Sequence, residues 1–262
     1  MKKQSVGNIQ LAYIEEGQGE TIVLLHGFCG SKDYWKELIP LLSKNFKVLA
    51  IDLRGHGDSE AGEGSFEIED LAKDVNDFLE QKSINSIHLI GHSMGGYIAL
   101  AFAELFPSKL ASYSLFHSTA YPDSDEAKHG RNKAIETIEK EGMVSFIDGL
   151  IPKLFSDEFL ERHPNVVENI KKIGYETSPA GAIYALKAMR NRPDRHSVLK
   201  NSHTPVLLIA GRNDKVISVE RTLSVTASHV TTTILEHSGH MGMLEEPNQA
   251  AEIIHRFIHD LS

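Results

Sequence analysis

Four apolar runs of strand length, each bounded by turn residues, punctuate the chain: TIVLLHG (21–27), KVLAIDL (47–53), SIHLIG (86–91) and TPVLLIAG (204–211). Unbroken runs of this kind suit central strands of a parallel sheet covered on both faces, where no position meets water and alternation is lost. LASYSLFHS (110–118) and VTTTILEHS (230–238) predict two further strands, and the alternating polarity of VGNIQLAYIEE (6–16) predicts an N-terminal hairpin.

Between these runs the period changes to that of a helix. FEIEDLAKDVNDFLEQK (66–82) sets Ile68, Leu71, Val75, Phe78 and Leu79 on one face, an amphipathic stripe. MGGYIALAFAELF (94–106) is apolar almost all round, which predicts a buried helix beginning just after Ser93. The last segment places Ala250, Ile253, Ile254, Phe257, Ile258 and Leu261 on one stripe, with Pro247 as its first-turn residue. The alternation predicts an α/β fold with a mostly parallel central sheet of about eight strands and helices on both faces.

One region breaks the rhythm. Residues 119–203 contain no convincing strand but several helix-like pieces, DEAKHGRNKAIETIEKEG, SDEFLERH, NVVENIKKI and PAGAIYALKAMR. The expected organisation is therefore a core of residues 1–118 and 204–262, with a helical cap of residues 119–203 inserted between two core strands. Acidic and basic residues balance at 13 each over 118–203, so the net charge of −9 resides in the core.

Composition narrows the classes of function. With 262 residues, 41% hydrophobic and 24% charged, the chain has the make-up of an ordinary globular protein able to bury a sizeable core. A net charge of −9 without a basic block argues against a nucleic-acid partner and against an anionic membrane surface. The N-terminus MKKQSVGNIQLAYIEEG lacks the apolar centre of a signal peptide, and no stretch approaches the roughly 18 uninterrupted apolar residues of a membrane span. Cys29, the one cysteine, excludes an intrachain disulfide and fits a reducing compartment, so the expected location is cytoplasmic.

The chemistry concentrates at GHSMGG (91–96). Gly91-His92-Ser93-Met94-Gly95 fits G-x-S-x-G in the context that pattern requires, a strand, a sharp turn and a buried helix. Such a turn presents the serine Oγ above the sheet edge, at a helix N-terminus that favours negative charge. The bland alternative is a structural turn. A serine nucleophile needs a base, and the base needs an acid to orient it. Asp214 follows the run PVLLIA and His240 follows TTTILEH, so both lie in loops at the same sheet edge, in the chain order Ser, Asp, His. Taken alone, Asp214 could instead cap a helix starting near Ser218 or stabilise a turn. His237 and His240 have H-x-x-H spacing but no accompanying carboxylate or cysteine cluster, so no metal site is expected. His26 and His92 flank site residues and read as packing or supporting groups.

Five signatures, LLHGFCGSKDYW (24–35), DLRGHGDS (52–59), GHSMGG (91–96), GRND (211–214) and SGHMGMLEEP (238–247), stand in an order and spacing that resembles the α/β-hydrolase superfamily. The chain is similar to its compact esterase, lactonase and cofactor-free haloperoxidase-like members. The resemblance implies that the backbone N–H groups of Phe28 and Met94 form an oxyanion hole, and that DLRGHGDS is a structural loop in which Arg54 and His56 take no catalytic step. It also implies that the cap shapes the substrate pocket. Cys29 reads as a small packing residue.

The function expected is that of a serine hydrolase acting on a small carboxylic ester, thioester or lactone through an acyl-enzyme on Ser93, without metal or organic cofactor. Carbon–carbon bond hydrolysis or perhydrolysis could use the same triad, and a small-molecule receptor with slow hydrolysis could use the same fold. Branches with an aspartate nucleophile are disfavoured by Ser93. The substrate pocket expected is apolar, built from Phe28, Met94 and Met241 together with cap residues such as Phe146 and Leu154. Short to medium uncharged acyl esters are expected to be preferred over highly charged or polymeric substrates; a preference for dianionic substrates would instead point to cap residues such as Lys128, Arg131 or Arg190 facing the pocket. Physiological substrate and oligomeric state stay open.

Overall fold

The N-terminal hairpin forms as its alternation predicts: β1 (Lys2–Val6) and β2 (Ile9–Glu16) pair antiparallel, with Val6 opposite Ile9. In the computed structural model, which describes residues 1–261, β2 adds antiparallel to β4 (Lys47–Ile51). From there every pairing is parallel, through β3 (Thr21–Leu25), β5 (Ile87–His92), β6 (Leu110–Phe116), β7 (Val206–Gly211) and β8 (Val230–Leu235). The sheet order is β1-β2-β4-β3-β5-β6-β7-β8. β5 and β7 are buried along their whole length, which is why their sequences lack alternation. β8 is an edge strand, and its exposed threonines face solvent.

Helices cover both faces. α1 (Ile68–Gln81) buries Ile68, Leu71, Val75, Phe78 and Leu79, the predicted stripe. It packs on α2 (Met94–Leu105), which is buried from Met94 through Phe102. Between β6 and β7 come α3 (Asp125–Leu150), α4 (Asp157–Arg162), α5 (Pro164–Tyr175) and α6 (Pro179–Asn191). α3 is kinked at Gly142, whose φ is 85°. The C-terminal α7 (Pro247–His259) has Pro247 in its first turn and buries Ala250, Ile253, Ile254, Phe257 and Ile258. Leu261 departs from the expected stripe: the helix has ended by then, and the side chain is 41% exposed.

The apolar runs of 21–27 and 230–238 overshoot their strands, which end at Leu25 and Leu235. The polar residues beyond, His26 and Gly27 in one case and Glu236 to Ser238 in the other, start loops. Because β3, β5, β6, β7 and β8 run parallel, their carboxyl-terminal loops gather on one edge of the sheet, the edge where open α/β folds hold ligands.

Candidate active site

Ser93 stands between β5 and α2 with φ 52° and ψ −112°, a conformation that side-chain-bearing residues rarely adopt. The two flanking glycines make this turn possible. A Cβ on Gly91 would come within 2.1 Å of the Gly95 carbonyl oxygen, and one on Gly95 within 2.3 Å of the Leu25 carbonyl oxygen. The turn is held from outside by the Ser93 N–H, which donates to the Phe116 carbonyl at 3.0 Å. Ser118 Oγ donates to the Ser93 carbonyl at 2.7 Å. Ser118 carried no sequence signal beyond its place at the end of a predicted strand.

Asp214 and His240 meet across the loops after β7 and β8. His240 Nδ1 lies 2.7 Å from Asp214 Oδ2, and both side chains are almost wholly shielded from solvent. The aspartate also has the turn-forming role that was the alternative reading, since its Oδ1 accepts from the backbone N–H groups of Val216 and Ile217 at 2.8 and 2.9 Å. One oxygen fixes the loop and leaves the other for the imidazole. Burial pushes the Asp214 carboxyl up, but the imidazoles of His240 and His117 outweigh it and hold the group well below the ordinary carboxylate range. It is therefore an anion, and an acceptor for Nδ1–H that leaves Nε2 of His240 as the free lone pair.

His117 is a neighbour that the sequence did not mark. It is fully buried at the end of β6, with φ 49° and Nδ1 3.5 Å from Asp214 Oδ2. Burial lowers its proton affinity despite the nearby carboxylate, so it sits there as a neutral ring. His92 turns under the histidine loop and donates from Nε2 to the His240 carbonyl at 2.8 Å. Its ring reaches the cavity wall as well. Glu245 is a second unmarked contributor. Its Oε1 accepts from the N–H groups of Gly239 and Met241 at 2.9 and 3.1 Å, and its Oε2 accepts from Ser156 N at 3.0 Å. One carboxylate thus clasps the backbone on both sides of His240 and ties it to the segment before α4.

The loop after β3 abuts the nucleophile. A Cβ on Gly27 would lie 3.2 Å from Ser93 Cβ. His26 accepts from the Leu53 N–H at Nε2, so its Nδ1–H donates to the Gly27 carbonyl at 2.7 Å and fixes the peptide leading into Phe28. The backbone N–H groups of Phe28 and Met94 donate to no acceptor among the described residues. Arg54 is held by both Asp74 oxygens, at 2.8 and 2.6 Å, and His56 Nδ1 donates to the Arg54 carbonyl at 3.0 Å. Cys29 is buried beside this loop, and burial pushes its thiol up, which keeps it protonated and unreactive.

Ser93 and His240 share the wall of a cavity of about 60 Å³. Phe28 and Leu154 line it, whereas the expected pocket residues Met94 and Met241 are fully buried outside the lining. Met94 points into the core because it opens a helix buried all round. Phe146 packs against Phe28, with ring centroids 6.0 Å apart, and borders an outer groove rather than the cavity. Tyr34, Tyr97, Leu150, Met189 and Val216 complete the apolar and aromatic wall. Arg131 also lines the cavity, while Lys128 pairs with Asp125 and Arg190 donates to Asn132, both away from it. Among the described residues no three His, Cys, Asp or Glu side chains cluster as metal ligands do, and no helix is long and apolar enough to cross a membrane.

Comparison with known proteins gives a consistent picture. A family described as the alpha/beta hydrolase fold matches residues 20–247. A thermophilic esterase from Thermogutta terrifontis superposes with a TM-score of 0.93 at 29% identity, over 99% of this chain and 97% of that one. The enol-lactonase from Burkholderia xenovorans LB400 superposes with a TM-score of 0.92 at 25% identity, over 98% and 100%. Monoacylglycerol lipase abhd6-B of Xenopus laevis is 26% identical over 287 residues, spanning 100% of this chain and 82% of that protein.

Proposed function

The chain belongs to the alpha/beta hydrolase fold family and is a hydrolase; from that premise we propose that it cleaves carboxylic esters or lactones through an acyl-enzyme on Ser93. The observation that carries this reading is the 2.7 Å pairing of His240 Nδ1 with a buried, ionised Asp214, on a ring that shares the cavity wall with Ser93. With Nδ1–H committed to the aspartate, Nε2 takes the proton from Ser93 Oγ as it attacks the carbonyl carbon. The tetrahedral oxyanion is received by the N–H groups of Phe28 and Met94, which have no acceptor among the described residues; Met94 follows Ser93 directly, and Phe28 follows Gly27, which abuts it. His240 then returns the proton to the leaving oxygen, and the alcohol departs. A water molecule, deprotonated by the same nitrogen, attacks the acyl carbon, and His240 returns that proton to Ser93 Oγ as the acyl–Oγ bond breaks and the acid leaves. Every step is a proton transfer or an addition–elimination at one carbonyl, so the chain's own residues suffice.

The names of the similar proteins, esterase, enol-lactonase and monoacylglycerol lipase, support acyl–oxygen cleavage as the reaction class. The test is covalent: a neutral organophosphonate ester labels the protein once, on Ser93, and Ser93→Ala abolishes both the labelling and ester turnover. Normal labelling of the alanine variant at another serine would refute the assignment.

A further inference from the structure

Among the described residues that line the cavity, Arg131 alone carries a formal charge, and it is positive. Arg131 projects from α3 and donates through Nε to Asp123 Oδ2 at 3.0 Å. The other oxygen of Asp123 is already taken by Arg192 Nη1 at 2.6 Å. Arg192 is itself locked: its Nη1 and Nη2 donate to the carbonyls of Met189 and Tyr121, and its guanidinium stacks 3.9 Å from the Tyr97 ring centroid. Two guanidiniums thus share one buried carboxylate, which leaves one positive charge uncompensated. That charge falls on Arg131, the more exposed of the two, with 25% of its side chain accessible against 4% for Arg192. The Nη1 and Nη2 groups of Arg131 have no acceptor among the described residues. Among the described residues no aspartate or glutamate lines the cavity, and apart from Ser93, His92 and His240 the remaining wall is aromatic and apolar.

We propose that Arg131 is a specificity residue that receives a carboxylate on the substrate, so that the preferred substrates are short esters or lactones bearing one carboxylate. This rests on the hydrolase reading of Ser93 and adds the substrate class. The chemistry is that of a guanidinium fork: with Nε committed to Asp123, the free Nη1 and Nη2 N–H groups form the edge that matches a carboxylate. Asp123 and Arg192 hold the fork in place, and the low-dielectric wall strengthens its attraction for an anion. A cavity of about 60 Å³ favours a short spacer between the carboxylate and the scissile carbonyl. The apolar wall alone suggested uncharged acyl groups; the placement of Arg131 in it reverses that expectation.

The test compares two esters of equal shape, monomethyl glutarate and methyl 5-methylhexanoate, in which an isopropyl group replaces the carboxylate. Wild-type protein is expected to prefer the anion by about 10- to 100-fold in kcat/KM, the worth of a charge-assisted hydrogen-bonded pair, mostly through KM. Arg131→Gln brings the ratio to one or below, and Arg131→Lys keeps an intermediate preference. Because each ratio is taken within one protein, a general loss of activity cancels. If the glutamine variant fails to fold, the wild-type and lysine ratios decide. Equal turnover of the two esters by wild type, or an unchanged ratio in Arg131→Gln, overturns the proposal while leaving the Ser93 chemistry intact. Turnover of neither ester, with Ser93 refractory to phosphonate, overturns both.

Discussion

Ser93 occupies a strained backbone conformation, a state that costs on the order of 1–3 kcal/mol and persists only where the surroundings over-determine it. Here they do. The Phe116 carbonyl and the Ser118 hydroxyl hold its peptide groups, and Gly91 and Gly95 permit approaches that any Cβ would block. The strain exposes Oγ to the cavity instead of to its own helix. Asp214 shows the same economy, with one oxygen for the loop and one for His240. In the proposed mechanism the three side chains act as one device. Asp214→Asn and His240→Ala are therefore each expected to lower kcat by about 10⁴-fold, and adding Ser93→Ala to either lowers it little further. Steady-state kinetics on the single and double variants checks this. Losses that multiply would mean that the residues serve separate steps.

At the level of elements, five loops at the carboxyl ends of parallel strands supply the site, and their relative placement depends on contacts between them. Glu245 is the clearest case, because it joins both sides of His240 to the segment leading into α4. Glu245→Gln keeps an acceptor at one end but turns the other into a donor facing backbone N–H groups. We expect kcat to fall about 10- to 100-fold, as small displacements of a reacting group do, with phosphonate labelling of Ser93 slowed in parallel. An unchanged labelling rate would show that the loop holds itself. Strands and long helices were legible in the sequence because burial on both faces or along one stripe leaves a periodic signature. The elbow, Asp214 and His240 were legible because each follows a strand at a short, fixed distance. Glu245, Ser118 and His117 were not, since their partners are backbone groups or residues on distant loops, and nothing local distinguishes them from surface or core residues. The cavity wall was half legible: Phe28 and Leu154 lie on it, but Met94 and Met241 turn into the core, a matter of rotation about a helix or loop that hydrophobicity does not encode.

For the molecule as a whole, the cluster of buried imidazoles under the site sets its tolerance of acid. Burial lowers the proton affinities of His26, His92 and His117, and takes that of His56 to about 4. The unfolded chain protonates these rings near pH 6.5 while the folded state keeps them neutral, so the unfolded state binds more protons below that pH. Stability is fully present above about pH 6.5, and each ring subtracts up to about 1.4 kcal/mol per pH unit below it. The carboxyls of Asp52 and Asp74, raised by burial, oppose this only near their own lower range. Urea midpoints are expected to fall steeply between pH 7 and pH 5; a constant midpoint would show that the rings are hydrated. The central claim, an acyl-enzyme on Ser93, is tested most directly by stopping turnover of an ester in acid within the first turnovers and weighing the intact protein. With an activated aryl ester, chosen so that acylation outpaces deacylation, the account predicts a burst of up to one alcohol per chain and a mass increase of one acyl group, mapped to the peptide carrying Ser93 and absent in Ser93→Ala. Steady hydrolysis with no covalent species, and persisting in Ser93→Ala, would contradict it.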